Sequence, residues 1–468
     1  MFERWIGVEV FREGIRAYMD KHRFGTATYE DLLGALGTAA ERDVATPFSS
    51  FLFQPGVPFL ETELQCDGAP VVRVSQSRYL PVGSTGESDR TWQVPVCVRY
   101  GTGKTEGKTH CELITETTAE IKLPETTCPG WISPNADGVG YYRFGLATKD
   151  WEALQSVAFS GLSGLERLAI VDSLQAAFWN GSAEAKDVLE GLGPIAKDPE
   201  RRVAEEPMSL LGVASKHLVH AKALPAFEAF AARLYAPRAK ELGWDAAAGE
   251  SGDAKLERAS VLSFLALTAK DPKVRKEAEK RGHAVVSAKG QSAEVVPAEL
   301  VSTVLTVALQ EGDMAFFDGV VELALSSEDT ILRSNFLSAI GRVTAPDMAA
   351  KVRELVFDPR VRTNEIRLLV SSQSRASETR DAFWKWFVDN WDRYVERITK
   401  DAAGGTPYMA AGFCSESDAA AVEAFFKDRI DDLRGGPRNL AAVLEGIRIC
   451  AAMVDKQAAG VTAFFEKK

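Results

Sequence analysis

The chain of 468 residues has no apolar run near the roughly 18–20 residues that a membrane span requires. Its first residues, MFERWIGVEVFREG, hold neither an apolar core nor a small-residue cleavage site, so they do not read as a signal peptide. Lys and Arg nowhere gather into a basic block, and the formal net charge is −11. Nucleic acid and anionic membrane surfaces are therefore disfavoured as partners, because phosphate binding needs clustered cations. The six cysteines show no Cys-x-x-Cys spacing, which argues against zinc knuckles and thioredoxin-like redox motifs.

Several catalytic signatures are missing as well. Only five histidines occur: His22, His110, His217, His220 and His283. None forms the His-Glu-x-x-His helix of a zinc peptidase, in which two imidazoles one turn apart bind the metal and the glutamate acts as base. The one close pair, His217 and His220 in SKHLVHAK, has no carboxylate between its members and reads as partly exposed helix histidines. Neither Phe159-Ser160-Gly161 nor Leu162-Ser163-Gly164 completes the Gly-x-Ser-x-Gly of a nucleophile elbow, Ala158 standing two before Ser160 and Leu165 two after Ser163, so their serines read as turn and cap residues. Cys414, in GFCSES, has no evident base beside it and reads as packing in a core or turn. The run Gly101-Thr102-Gly103-Lys104-Thr105 resembles the end of a phosphate loop, but Val98 stands where that loop needs glycine. It reads as a hairpin turn. No catalytic and no metal-ligating residue is assigned on this basis, and the substrate-binding residues stay unassigned.

What is present is an ordinary globular composition, 46% apolar and 26% charged, in a chain long enough for two to four domains. Trp5, Val8, Phe11, Ile15 and Met19 share one helical face. A chain that opens inside an amphipathic helix suggests a truncated or split protein. Residues 1–55 read as helical, with Thr28 and Asp31 as a capping arrangement for a helix starting at Tyr29. The period then shortens. PFLETELQC, PVVRVSQSRYL, TWQVPVCVRYG, THCELIT, AEIKLP and GYYRFGL predict a small antiparallel β-sandwich over 56–147. Four cysteines, Cys66, Cys97, Cys111 and Cys128, fall in that stretch. Disulfides there would imply an exported protein; free buried thiols in a cytoplasmic protein are the other reading.

Residues 148–468 read as helical almost throughout. Ser163-Gly164-Leu165-Glu166 is a capping box, followed by apolar Leu165, Leu168, Val171, Leu174 and Phe178. Asp-Pro pairs at 198–199, 271–272 and 358–359 each offer an N-cap before a first-turn proline. Short helices joined by brief polar turns fit an α-solenoid of HEAT-like helix pairs. No clean period appears, so an irregular helical domain is the alternative. The expected fold is thus mixed and mostly α. In FWKWFVDNWDRY (383–394), Phe383, Trp384, Phe387 and Trp391 recur at helical spacing and read as helix-packing core, with Trp386 and Tyr394 partly exposed.

Several segments, in order, resemble the zinc-dependent (gluzincin) aminopeptidases of the alanyl, puromycin-sensitive and endoplasmic-reticulum types. Residues 1–36 resemble the closing helices of their catalytic domain, and FLFQPGVPFL resembles the link into their β-sandwich. WISPNADGVGYYRFGLATKDWEAL resembles the sandwich exit, including Asn135, Gly138, Gly140, Tyr142 and Arg143. LYAPRAKELGWDAAAGE resembles a stretch of their helical domain, with Gly243 ending a helix and Trp244 packing back. DAFWKWFVDNWDRY resembles a late helix, and Phe464-Phe465 the natural end.

The resemblance implies three parts: a helical end of the catalytic domain at 1–55, a sandwich at 56–147 and a bowl-shaped helical domain at 148–468. It places the HExxH helix and every other catalytic residue before the segment that matches Met1. The family's zinc would then have no ligands here. The implied role is to cap the active site and limit substrate size, with the N-terminal catalytic portion and peptide substrates as partners. A stand-alone, catalytically dead peptide- or protein-binding scaffold is the alternative. Arg362, Arg367 and Arg375 are candidates for a peptide's C-terminal carboxylate, since arginine suits bidentate pairing; solvated helix charges are the other reading.

Overall fold

Gly7 breaks the first amphipathic stretch in two: its positive φ of 97° separates α1 (Phe2–Ile6) from α2 (Val8–Lys21). The single face drawn through both therefore does not survive. Trp5, Phe11 and Ile15 pack inward, whereas Val8 and Met19 are exposed. α3 (Tyr29–Ala40) begins at the expected capping box, Thr28 accepting from the Asp31 backbone and Asp31 from that of Thr28. α2 and α3 approach closely at Gly14, where a Cβ would lie 2.9 Å from the Leu36 side chain. α4 (Ala45–Leu52) ends the helical segment.

The computed structural model describes residues 1–104, 106–288 and 295–467; Thr105, the last residue of the phosphate-loop-like run, lies outside them. It divides into two compact units, Met1–Pro81 with Thr85–Glu206, and Val82–Ser84 with Pro207–Lys468. The fold is mostly α with a small β region.

Seven strands form in the first unit: β1 (Pro58–Gln65), β2 (Val71–Arg78), β3 (Val94–Gly101), β4 (Lys108–Ile114), β5 (Thr118–Lys122), β6 (Trp131–Ser133) and β7 (Arg143–Leu146). They make a four-stranded sheet, β5-β2-β1-β7, and a three-stranded sheet, β4-β3-β6. Pairing is antiparallel except between β1 and β7, which run parallel, Leu60 opposite Phe144. Alternation sends Leu60, Leu64, Val72 and Val74 into a core shared with Val94, Val96 and Val98. Disulfides join Cys66 to Cys128 and Cys97 to Cys111; the second pair sits directly opposite across β3 and β4.

The sandwich exit is built from the residues singled out in sequence. Asn135 both accepts from the Gly140 N–H (2.8 Å) and donates to its carbonyl (3.3 Å). The buried Tyr142 hydroxyl donates to the Pro134 carbonyl at 2.7 Å. Gly138 has φ +67°, and a Cβ there would fall 2.5 Å from the Leu165 carbonyl oxygen, so only glycine fits. Arg143 forks onto Asp172 (3.0 and 3.3 Å) and lies over the Tyr79 ring. After α5 (Thr148–Ala153), the box of Ser163 and Glu166 opens α6 (Gly164–Trp179). Val171 and Phe178 are buried as expected, but Leu165 is 54% exposed. α7 (Ala185–Ile195) follows. The chain passes into the second unit within α8 (Arg201–Val213).

In the second unit the helix Pro272–Ser287 packs on Val301–Glu311, which packs on Thr330–Ile340, which packs on Ile366–Gln373. Met314–Ser326 and Pro346–Leu355 fill the second layer against these. Alternate helices thus form one continuous row, and each helix of the second layer leans on a member of that row. Of the three Asp-Pro pairs only Asp271 caps a helix, accepting from Lys273 and Val274. The Asp198 carboxylate accepts from Arg167 and from the Glu200 N–H, and that of Asp358 from the Arg360 side chain and N–H. Gly243 ends the helix Leu224–Leu242 with φ 64°, and Trp244 packs back under Arg281. The 383–394 aromatics form part of the core as predicted, Trp384 meeting Phe413 and Phe425. Tyr394 is buried rather than part-exposed because Trp386 and Phe387 cover it.

Candidate functional site

Strand alternation that buries Leu60 and Leu64 turns Glu61 and Glu63 to the opposite face of the four-stranded sheet. There Glu63 stands beside Arg73 and Arg73 beside Glu120 in register across three strands. Phe59, on the same face, packs against Ala176 and Ala177 of α6 and closes one end. Between sheet and helices a cleft of about 840 Å³ remains, with Ile170 and Leu174 on its apolar wall and Glu184 and Asp187 at its far side. Its volume suits a small ligand or a short peptide stretch. Five lining carboxylates face one guanidinium, that of Arg73. Arg73 pairs with Glu120 at 3.3 Å, and Lys149 pairs with Glu63 at 2.9 Å and holds that carboxyl below its usual range. Acceptors over an apolar wall favour cationic, partly apolar ligands. The one hydroxyl–carboxylate contact, Ser75 to Glu61 at 3.5 Å, is too long to activate a nucleophile.

A second cluster lies in the second unit. His217 projects from the turn Ala214–Leu218, whose exit is tied to the C-terminal helix: Thr462 donates to the Leu218 carbonyl and accepts from the His220 N–H. Cys414, read from sequence as packing in a core or turn, forms a disulfide with Cys450. Among the described residues, His217, Cys414 and Cys450 are the one group of three metal-ligating side chains whose donor atoms converge. The His217–His220 pair does not act together. His220 instead caps the next turn, its Nδ1 accepting from the Lys222 N–H at 3.4 Å. Burial, and then the charges of Arg380 and Lys216, hold the His217 imidazole below the ordinary histidine range.

A family model, the ERAP1-like C-terminal domain, matches residues 131–449. The chain belongs to the ERAP1-like C-terminal domain family. Aminopeptidase 2 of Candida albicans is 24% identical over 474 aligned positions, covering 100% of this chain and 50% of that protein. Aminopeptidase M1 of Arabidopsis thaliana is 25% identical over 97% of this chain and 52% of its own length. Aminopeptidase N of Lactococcus lactis subsp. lactis is 22% identical with the same two coverages. The chain thus spans about half the length of the curated relatives it matches.

The matched ERAP1-like C-terminal domain opens at β6, so it takes in the Asn135–Arg143 exit and the helical wall of the cleft. Within it the three candidate arginines do not converge on a shared pocket. All are exposed. Arg362 leans toward Glu365 (3.8 Å), while Arg367 and Arg375 have no ion-pair partner among the described residues. The buried arginine nearby is Arg333, whose five guanidinium protons reach Glu365 twice and the carbonyls of Ala324, Leu325 and Arg360. It is a structural clamp with no donor left for a ligand. The zinc that the sequence resemblance implies does not fit the converged donors of this domain as they stand, because two of the three are joined sulfurs. The cleft and the cysteine cluster both escaped sequence reasoning. Alternation in β1 and β2 signalled the outward Glu61, Glu63 and Arg73, but nothing local signals the meeting of His217 with Cys414 and Cys450, far along the chain.

Among the described residues no helix is long and apolar enough to cross a membrane.

Proposed function

We propose that this chain is the non-catalytic C-terminal region of a zinc metallo-aminopeptidase that removes N-terminal residues from peptides, and that it caps the active site and limits substrate size. The observation that carries the reading is the alignment of the whole chain with one half of aminopeptidases from a fungus, a plant and a bacterium. Stacked helix pairs offer an extended surface for peptide, and covering a reaction centre excludes water. On this reading zinc and the catalytic groups belong to the portion aligned with the remainder of the relatives, and that portion is the principal partner. The three disulfides, which use every cysteine, favour an oxidising compartment.

The test is to produce the non-reduced chain alone and together with a segment corresponding to the relatives' other half, then measure aminoacyl-amide hydrolysis and bound zinc. Expected are no turnover by the chain alone, and turnover with one zinc per pair for the two together. Short peptides should be cleaved and folded proteins spared. Turnover by the metal-stripped chain alone would overturn the proposal, as would a pair that associates and cleaves folded proteins as readily as peptides.

A further inference from the structure

One donor atom from each of His217, Cys414 and Cys450 lies within 4.8 Å of the other two. The three arrive on separate elements: the turn Ala214–Leu218, the loop before the helix Glu416–Phe426, and the middle of the helix Gly436–Glu466. Two of the three are firmly held. Cys450 sits deep in a 31-residue helix, and Thr462 of the same helix anchors the His217 turn. Cys414 is on the adjustable side, its loop steadied by Arg380, which donates to the Gly412 carbonyl (2.8 Å) and lies over Phe413. All three are half-buried, so a small ion can enter while most solvent is kept out.

We propose that opening the Cys414–Cys450 disulfide turns this cluster into a Zn²⁺ site, with the two thiolates and the His217 imidazole as ligands and water in the fourth position. Two sulfurs and one nitrogen, with no carboxylate, select a borderline-soft cation over Mg²⁺ or Ca²⁺. His217 brings an imidazole nitrogen, a donor that zinc commonly takes beside thiolates. The chemistry balances with a dithiol as reductant. It gives two electrons and two protons, the S–S bond breaks, two protein thiols form, and the reductant leaves as its own disulfide. Zn²⁺ then displaces both thiol protons to solvent.

Geometry and charge both permit this. At Zn–S distances of about 2.3 Å, tetrahedral sulfurs stand roughly 3.8 Å apart, against about 2.05 Å in a disulfide. The Cα atoms are 5.0 Å apart, so the opening requires a change of side-chain rotamer and a small shift of the Cys414 loop, not of the helix. Arg380 and Lys216, whose charges act on His217, repel a bare dication. Once two thiolates cancel the ion's charge, little repulsion is left. The loop would then stay fastened to the long helix in either redox state, by sulfur in one and by metal in the other. This inference rests on the second unit alone and is independent of the aminopeptidase reading.

The full chain, reduced with a phosphine and kept anaerobic, is titrated with Co²⁺ and then with Zn²⁺. Reduction also frees Cys66, Cys97, Cys111 and Cys128, so variants carry the decision. Wild type should gain near-ultraviolet sulfur-to-cobalt absorption that Zn²⁺ abolishes at one equivalent more than in C414S/C450S. His217→Ala, which keeps the disulfide during folding, should bind that equivalent at least about tenfold more weakly, and His217→Cys should restore it. The oxidised chain should not show the absorption. Equal stoichiometry in wild type and C414S/C450S, unchanged affinity in His217→Ala, or the same signal from the oxidised chain would each overturn the proposal. Should C414S/C450S fail to fold, the His217→Ala affinity decides alone.

Discussion

The strands of the first unit are short, from three to eight residues, whereas the last helix of the second unit runs for 31. Two of the three disulfides lie in the sheet region between Cys66 and Cys128. The second unit instead has one apolar core running from Leu262 to Ile447, reinforced by a buried Arg333–Glu365 pair. A small sandwich buries little area per residue, and a slip of one residue would turn each strand inside out. A cross-strand bridge such as Cys97–Cys111 fixes register directly. Helix pairs take their register from local caps and ridge packing, so what they need is a clamp between successive turns.

The largest expected break falls on that clamp. Arg333→Ala leaves Glu365 buried at 7% side-chain exposure without its partner, a loss on the order of 3–5 kcal/mol. Hydrogen exchange should rise in residues 324–365 and stay unchanged in the sheets. Replacing both residues with apolar ones, Arg333→Met with Glu365→Leu, should recover much of the loss; a double variant as weak as the single one would mean that the carbonyl contacts matter more than the ion pair.

Next come the bridges. Their sequence separations are 62 for Cys66–Cys128 and 14 for Cys97–Cys111. Loop-closure entropy then gives roughly 4 and 3 kcal/mol. C66S/C128S should therefore cost about 1 kcal/mol more than C97S/C111S in denaturant midpoint. The reverse order would show that fixing register outweighs chain entropy.

Acid should separate the two units by the pH at which loss begins. Burial pushes the Glu365 carboxyl up, but Arg333 and the Arg362 N–H more than offset this and hold it below the usual range. A depressed carboxyl stabilises the fold above its unfolded pKa, and that stability is lost as pH falls through the folded value. His217, also depressed, begins to cost stability once the unfolded chain can take its proton, below about pH 6.5. In the first unit Glu63 and Glu166 are likewise depressed, as are Glu30, Asp31 and Asp43, but burial raises Asp150 and Glu206, whose protonation favours the folded form. The loss that His217 brings at higher pH belongs to the second unit. The second unit should thus lose exchange protection at higher pH than the first. Simultaneous loss would contradict the assignment.

How much of this was legible in sequence follows the range of the interaction. Thr28 with Asp31 and Ser163 with Glu166 were readable because cap and partner stand three residues apart. Strand positions were readable because alternation is local, but the parallel β1–β7 pair joins residues more than 80 positions apart and left no local mark. Asp198 and Asp358 looked like Asp271 in sequence, and each likewise accepts from the backbone N–H two residues on, but each also takes an arginine, Arg167 from 31 positions away at Asp198 and the neighbouring Arg360 at Asp358. The pairing of Cys414 with Cys450 escaped notice because the two stand 36 positions apart and meet only when the long helix returns. The family resemblance supplied what local rules could not, since order and spacing of segments carry long-range information.

The smallest expected effect tests how a cap behaves when its carboxylate serves several elements. Ser163→Ala removes the hydroxyl that accepts from the Glu166 N–H at 3.3 Å, and an isolated cap of this kind is worth about 1 kcal/mol. Glu166, fully buried, nonetheless keeps three other contacts: the Ser163 N–H at 2.9 Å, the Asp137 N–H at 3.2 Å and Arg99 at 2.7 Å. These hold the α6 start, the sandwich exit and β3 together without the serine. Ser163→Ala should therefore fall at or below the ordinary cap value. Glu166→Gln, which keeps the shape but loses the charge facing Arg99, should cost more, about 1.5–3 kcal/mol for a charge-assisted bond. If the two variants proved equal in urea midpoint, the carboxylate would be acting as a cap alone, and its link between strand and helix would carry no stability.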